Sequence, residues 1–234
     1  MLDTVVPGVA LPGSLSRSFA RAIGLGARRA APCLSRAPGQ NAIMNRPLEV
    51  PRIAVGDAFL LRPWEIGDLE LVREASHDPY IPLITTIPSS FSQEAGEAFV
   101  RRQWKRASTG GGYPFVIVRV QDTRPVGAIG LWTRELAEGR AWLGYWLAES
   151  ARGQGTAAAV LQAITVWGLS DLQIPRLQLC IEPWNAASMR TAERVGFQRE
   201  GLLRSWQRVG DERRPMVLYS MLRSDLPRRN DLVS

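Results

Sequence analysis

Gly144-Tyr145-Trp146-Leu147, followed after four intervening residues by Arg152-Gly153-Gln154-Gly155-Thr156-Ala157, is the stretch that decides the fold. The first part closes an apolar, aromatic run over 141–147 that reads as a strand. The second part is a glycine loop that opens a helix, because Ala157, Val160, Leu161, Ile164 and Trp167 recur at helical spacing. Glycines let a backbone turn tightly and approach a ligand closely. The first turn of a helix leaves amide N–H groups without partners and adds a positive dipole end. A strand, a glycine turn and a helix start in this order form a cradle for a diphosphate, with Arg152 adding a cation at its edge. Two other phosphate motifs do not fit. A Walker loop needs Gly-Lys-Ser/Thr at the helix start. The dinucleotide fingerprint needs a third glycine near the start of a doubly wound unit.

Upstream of this stretch, Phe59-Leu60-Leu61-Arg62-Pro63 reads as a first strand stopped by proline. Ile66, Leu69 and Val72 then fit a helix starting near Trp64. Pro79 and Pro82 break it, and residues 78–91 read as an irregular loop. Ser92 caps a second helix expected over 93–107, which Gly110-Gly111-Gly112 ends. Three strands with short turns follow, Tyr113 to Val120, Val126 to Thr133 and Ala141 to Leu147, so they are expected to be antiparallel.

Downstream, Leu177 to Ile181 is a strand whose connection through the intervening helix makes it parallel to 141–147. Asn185 caps a short helix that ends at Gly196. Two last strands, near Phe197–Leu203 and Met216–Leu222, bracket a polar loop at 210–214.

Four spaced segments resemble the Gcn5-related N-acetyltransferase (GNAT) superfamily. Arg152, Gly155 and Ala157 match its cofactor loop. Glu182-Pro183-Trp184-Asn185-Ala186-Ala187-Ser188 is similar to its Asp-Pro-x-Asn-x-x-Ser. Glu193 to Gly201 resembles its Glu-Lys-x-Gly-Phe-x-x-Glu-Gly, and Leu60–Pro63 and Leu218–Met221 fit its ends. The resemblance covers roughly 57–226 and is strongest to the ribosomal-protein N-terminal acetyltransferase (RimJ/RimL-like) branch. It implies an α+β fold: a mostly antiparallel twisted sheet of about seven strands, a splayed parallel pair and flanking helices. It implies acetyl-CoA as cosubstrate, held by Leu147, Arg152, Gly153, Gln154, Gly155, Thr156, Ala157 and Asn185, and direct transfer to a primary amine of a protein N-terminus or a small molecule.

The same resemblance places Ser188 as proton donor to the leaving thiolate. Many relatives carry a tyrosine acid where Ala192 stands here. The strand positions where some relatives carry a glutamate base are Gln178 and Cys180, so Glu182 is the nearest acid and the candidate base, although a solvated loop carboxylate is its alternative reading. Cys180 reads as a small buried residue. Pro215 stands where the family often has an aspartate. A non-catalytic acyl-CoA sensor and an aminoglycoside- or polyamine-type acetyltransferase are the competing functions, and the chain shows no acidic run that would draw a cationic acceptor.

Composition narrows the classes. The formal charge of +7 includes +4 from residues 1–49, where six arginines face Asp3 and Glu49. The remainder is a weakly basic domain, suited to a phosphate-bearing ligand without calling for nucleic acid. Lys105 is the only lysine. Two cysteines, Cys33 and Cys180, make no disulfide framework, and a single histidine, His77 at a helix end, makes no metal site. A reducing, cytoplasmic setting follows, with a monomer or homodimer equally open. No apolar run is long enough to span a membrane. Residues 1–50 read as a tail outside the fold: disordered, a transit peptide, or an upstream stretch before Met44. The domain is expected over 51–228, with a short tail at 229–234.

Overall fold

A computed structural model describes residues 4–5 and 47–226. The expected tails at 1–50 and 229–234 therefore lie largely outside the described residues. Element order is β1 (Thr4–Val5), β2 (Ile53–Val55), β3 (Phe59–Pro63), α1 (Leu69–Ser76), α2 (Ile81–Ile84), α3 (Gln93–Ser108), β4 (Gly112–Arg119), β5 (Arg124–Trp132), β6 (Arg140–Leu147), α4 (Thr156–Val166), β7 (Arg176–Ile181), α5 (Ala186–Val195), β8 (Gln198–Val209) and β9 (Glu212–Leu222).

The strands form one sheet in the order β2-β3-β4-β5-β6-β7-β9-β8, with β1 attached to β6. Among the described residues only β6 and β7 are parallel; every other pair is antiparallel. The α+β reading holds, and the sheet is wider than the expected seven strands because β2 and β1 add to it. Helices α4 and α5 bury Val160, Leu161, Ile164, Ala192 and Val195 against one face, on Leu143, Tyr145, Leu147, Leu177 and Leu179. Helices α1 and α3 cover the other face, where Val72, Phe99 and Val100 meet Val116, Val118 and Trp146. Central strands covered on both faces read as continuous apolar runs, which is why β4 and β6 show little alternation.

Local signals placed several ends correctly. Ser92 Oγ accepts from the Ala95 amide at 3.1 Å and starts α3. Gly196, at φ 104°, closes α5 in the left-handed region. Two expectations change. The segment read as irregular at 78–91 contains α2, because the Asp78 carboxylate accepts from the Tyr80 and Ile81 amides and supplies the turn that the prolines seemed to forbid. The loop placed at 210–214 is only a tight turn, since β8 and β9 pair out to Val209 and Glu212. That hairpin carries a bulge between Leu203 and Gln207, opposite Pro215, which has no N–H to give the ladder.

Near the start of the domain, Asp68 is 1% exposed and takes both Arg62 guanidinium nitrogens, at 2.6 and 2.8 Å, together with the Glu65 amide. Asp68→Ala leaves Arg62 a half-buried cation without its partner and is expected to cost about 3 kcal/mol of unfolding free energy. Urea denaturation measures it; a loss below about 1 kcal/mol would mean that water already satisfies Arg62.

Candidate active site

Strands β6 and β7 pair only from Arg140 to Trp142 against Arg176 to Gln178. Past that point β6 stays bound to β5 as far as Leu147, and β7 stays bound to β9 as far as Ile181. Beyond it the two strands no longer pair with each other, and a wedge opens between them. In the wedge Thr4 and Val5 pair antiparallel with Trp146 and Tyr145. The edge of β6 therefore accepts an extended backbone at this place.

The glycine loop stands at the mouth of the wedge. Gly153 and Gly155 have φ +75° and +80°, a region that side chains disfavour, while a Cβ at either would meet nothing within 4 Å. Backbone shape, not crowding, requires these two glycines. Gly155 is the N-cap of α4 and has no side chain to bond the leading amides of the helix. Gln154 turns away, its Nε2 donating to the Ser150 carbonyl at 3.0 Å. Thr156 and Ala157 are buried under the helix start. The loop thus leaves open space and N-terminal amides for an anion, which fits a diphosphate.

Arg152 does something the sequence did not announce. Its Nη2 donates to Asp78 Oδ2 at 2.6 Å and its Nε to the Leu147 carbonyl at 3.1 Å. The cation ties the loop to β6 and to the segment that carries Tyr80. Burial pushes the Asp78 carboxyl up, but the Arg152 bond and the Ile81 and Tyr80 amides outweigh it and hold the group below its ordinary value.

Glu182 follows β7 and is 2% exposed, which corrects the reading of a solvated loop carboxylate. Its Oε1 accepts from Tyr80 Oη at 2.7 Å, its Oε2 accepts from Trp184 Nε1 at 2.6 Å, and Arg214 Nη1 lies 3.7 Å away. Two donors and a cation thus surround the buried carboxylate. Burial, then the Glu182 hydrogen bond and charge, raise the Tyr80 phenol well above its usual range. Tyr80 therefore stays neutral and donates. Sequence reading missed it because its partner lies 102 residues away; an aromatic residue next to Pro79 was the only local signal.

Glu182 connects onward to the start of α5. Its carbonyl accepts from the Asn185 amide at 2.9 Å, and Asn185 Oδ1 accepts from the Ser188 amide at 3.2 Å, so Asn185 caps the helix as expected. Ser188 is fully buried in the first turn. Ala192, where the expected tyrosine is lacking, packs into the core. Cys180 is fully buried with its thiol pushed up to about 12 by burial, so it is no nucleophile. Among the described residues no group of three His, Cys, Asp or Glu side chains could hold a metal, and no helix is long and apolar enough to cross a membrane.

Comparison with known proteins agrees with this geometry. The family model described as "Acetyltransferase (GNAT) domain" matches residues 59–198. Uncharacterized N-acetyltransferase p20 of Bacillus licheniformis is 23% identical over 169 residues, covering 72% of this chain and 95% of that protein. The structure of Mycobacterium smegmatis RimJ in complex with CoA-disulfide superposes with a TM-score of 0.65 at 26% identity, covering 76% of this chain and 87% of that one. A structure of RimL, the ribosomal L7/L12 alpha-N-protein acetyltransferase with coenzyme A, gives a TM-score of 0.63 at 22% identity over 74% of this chain and 98% of that one, and shares the fold. With the wedge, the glycine loop and the matched model in agreement, the chain belongs to the acetyltransferase (GNAT) family and is an acetyl-CoA-dependent N-acetyltransferase.

Proposed function

We propose that the pantetheine arm of acetyl-CoA lies along the edge of β6 that faces the wedge, in the place β1 takes, with its diphosphate at the glycine loop and the start of α4. The observation that carries this is the short β6–β7 register, three residue pairs long, ending beside a glycine-capped helix. Leu147 and Arg152 shape the wall; Asn185 holds the first turn of α5. The acceptor is a primary amine, of the protein N-terminal kind that the RimJ and RimL names carry or of a small molecule.

Tyr80 and Glu182 handle the amine proton. The Tyr80 oxygen accepts the amine hydrogen while its own proton passes to Glu182, so the buried carboxylate acts through the phenol. The neutral amine attacks the thioester carbonyl, and Ser188 gives a proton to the departing thiolate. A free buried thiol at Cys180 suits a reducing cytoplasm.

Isothermal titration with acetyl-CoA followed by thiol release with peptide N-termini and small amines tests the reading. Binding with turnover supports it. Binding without turnover for every acceptor would favour an acyl-CoA sensor. Ser188→Ala should lower kcat by about tenfold while leaving acetyl-CoA affinity nearly intact. The effect is modest because a thiolate, with a conjugate acid near pH 8.5, leaves well without help. An unchanged kcat removes Ser188 from the mechanism.

Thr4 and Val5 occupy the edge that pantetheine needs. A chain lacking residues 1–10 should therefore bind acetyl-CoA about two- to tenfold more tightly, since ligand no longer competes with that strand. Equal affinity by titration would show that β1 yields at no cost.

A further inference from the structure

A cavity of about 290 Å³ opens between α2, α3 and strands β4 to β6, on the sheet face away from α4. It reaches Gly144, Tyr145 and Trp146, the segment of β6 that borders the wedge. Its walls are aromatic. Trp64 and Phe99 meet edge to face with centroids 5.0 Å apart, and Trp132 and Trp146 complete the lining. Its floor is bare at Gly130 and Gly144, and the Trp132 indole lies so close over Gly130 that a Cβ there would strike the ring.

The rim is cationic. The Arg106 guanidinium sits 5.1 Å from the Trp132 ring centroid, with Gln103 Oε1 at 2.8 Å and Thr86 Oγ1 at 3.3 Å as its neutral partners. Arg134 lines the same cavity, and Arg102 stands nearby, bonded to the Thr86 carbonyl. Among the described residues, the ion pairs of the molecule use other arginines, and none of these three has a carboxylate within 4.0 Å. Burial, with Arg134 and Arg102 adding repulsion, pulls Arg106 down to about 10, so it remains a cation at neutral pH. The Trp132 Nε1–H is buried and has no acceptor. Arginines without a carboxylate partner at the rim of an aromatic cavity can take an anion from a ligand.

We propose that this cavity is the acceptor site, and that it selects a small primary amine built on a flat apolar ring and carrying an anionic group. The ring sits among Trp64, Phe99 and Trp146. The anion is met by Arg106 and Arg134. This rests on the acetyltransferase reading above and names its substrate class. The volume supports a small molecule: small-molecule sites span about 300–1,000 Å³, so this one holds a ring and a short arm. The charge argues against polyamine or aminoglycoside acceptors, which would meet two or three cations at the rim.

The test uses matched probes on the full chain. Indole-3-propionate and indole-3-propionamide share a shape and differ in charge; titration should show the anion binding about tenfold more tightly. Phenyl phosphate against phenylacetate distinguishes a phosphate from a carboxylate as the preferred anion. In acetyl transfer, tryptophan should be preferred to tryptophanamide by kcat/KM. The amide has the less basic amine and so more of its free base, which means a preference for tryptophan cannot come from amine ionisation. Arg134→Gln, at an exposed position that leaves folding intact, should bring the propionate-to-propionamide ratio towards one, and adding Arg106→Gln should complete the loss.

Equal binding of the two indole probes, no binding of either, or a ratio unmoved by the double variant overturns the proposal. A Trp-Ala peptide amide that outcompetes indole-3-propionate also overturns it, in favour of a polypeptide N-terminus. Acetyl-CoA titration reports separately. If acetyl-CoA fails to bind, the cofactor reading fails; if it binds while the probes do not discriminate, only the acceptor assignment falls.

Discussion

Glu182→Gln is expected to reduce kcat about a hundredfold or more at saturating acetyl-CoA, with cofactor affinity unchanged. Glutamine keeps the shape of the side chain but cannot take a proton from Tyr80 in the proposed relay. The substitution also has a structural side. Glu182 accepts from two donors, Tyr80 Oη and Trp184 Nε1, and an amide offers one oxygen. One donor then faces an NH2 group, at a cost of about 1–3 kcal/mol in stability. Pairing the change with Trp184→Phe removes that second donor and lets the amide oxygen serve Tyr80. If the double variant regains stability in a thermal melt yet stays slow, the loss belongs to proton transfer. If it regains rate as well, Glu182 only positions Tyr80.

Gly155→Asp is expected to weaken acetyl-CoA binding about a hundredfold, read by titration calorimetry. Two effects act together. A side chain at φ +80° costs about 1 kcal/mol, and a carboxylate at the start of α4 repels the diphosphate that the helix end attracts. Packing contributes nothing, because a Cβ at this position has open space around it. Gly155→Asn separates the two, since asparagine tolerates the left-handed region and carries no charge. It should weaken binding only a few-fold. Affinity unaltered by the aspartate would place the diphosphate elsewhere.

The two residues at the centre of these experiments differ in how visible they were. Gly155 was legible in the chain because the requirement is local: a turn between a strand and a helix needs a glycine where φ is positive, and its neighbours carry the periodicity that marks both elements. The caps at Ser92 and Asn185 and the stop at Gly196 were legible for the same reason. Glu182 was found by resemblance but misread in its surroundings. A carboxylate in Glu-Pro-Trp-Asn looks solvated, and only folding brings Tyr80 from 102 residues away to cover it.

Arg152 shows the boundary from the other side. Its residue type and its place beside two glycines suggested a charge offered to a phosphate. Its partner is Asp78, 74 residues earlier, and the pair links the glycine loop to the turn that carries Tyr80. The hairpin over 198–222 was cut short in the reading because Arg, Asp and Pro there disguise strands whose pairing is supplied by a neighbour and a bulge.

Short-range patterning, by itself, determined most of the strands and helices, the parallel crossover and the glycine turn before α4, since dihedral preferences, caps and apolar spacing act within a few residues. Tertiary structure alone decided which strands part, which charges neutralise one another and which aromatic rings wall a cavity. Those outcomes depend on distances between segments far apart in the chain, and burial sets their energies only after the sheet has closed around them.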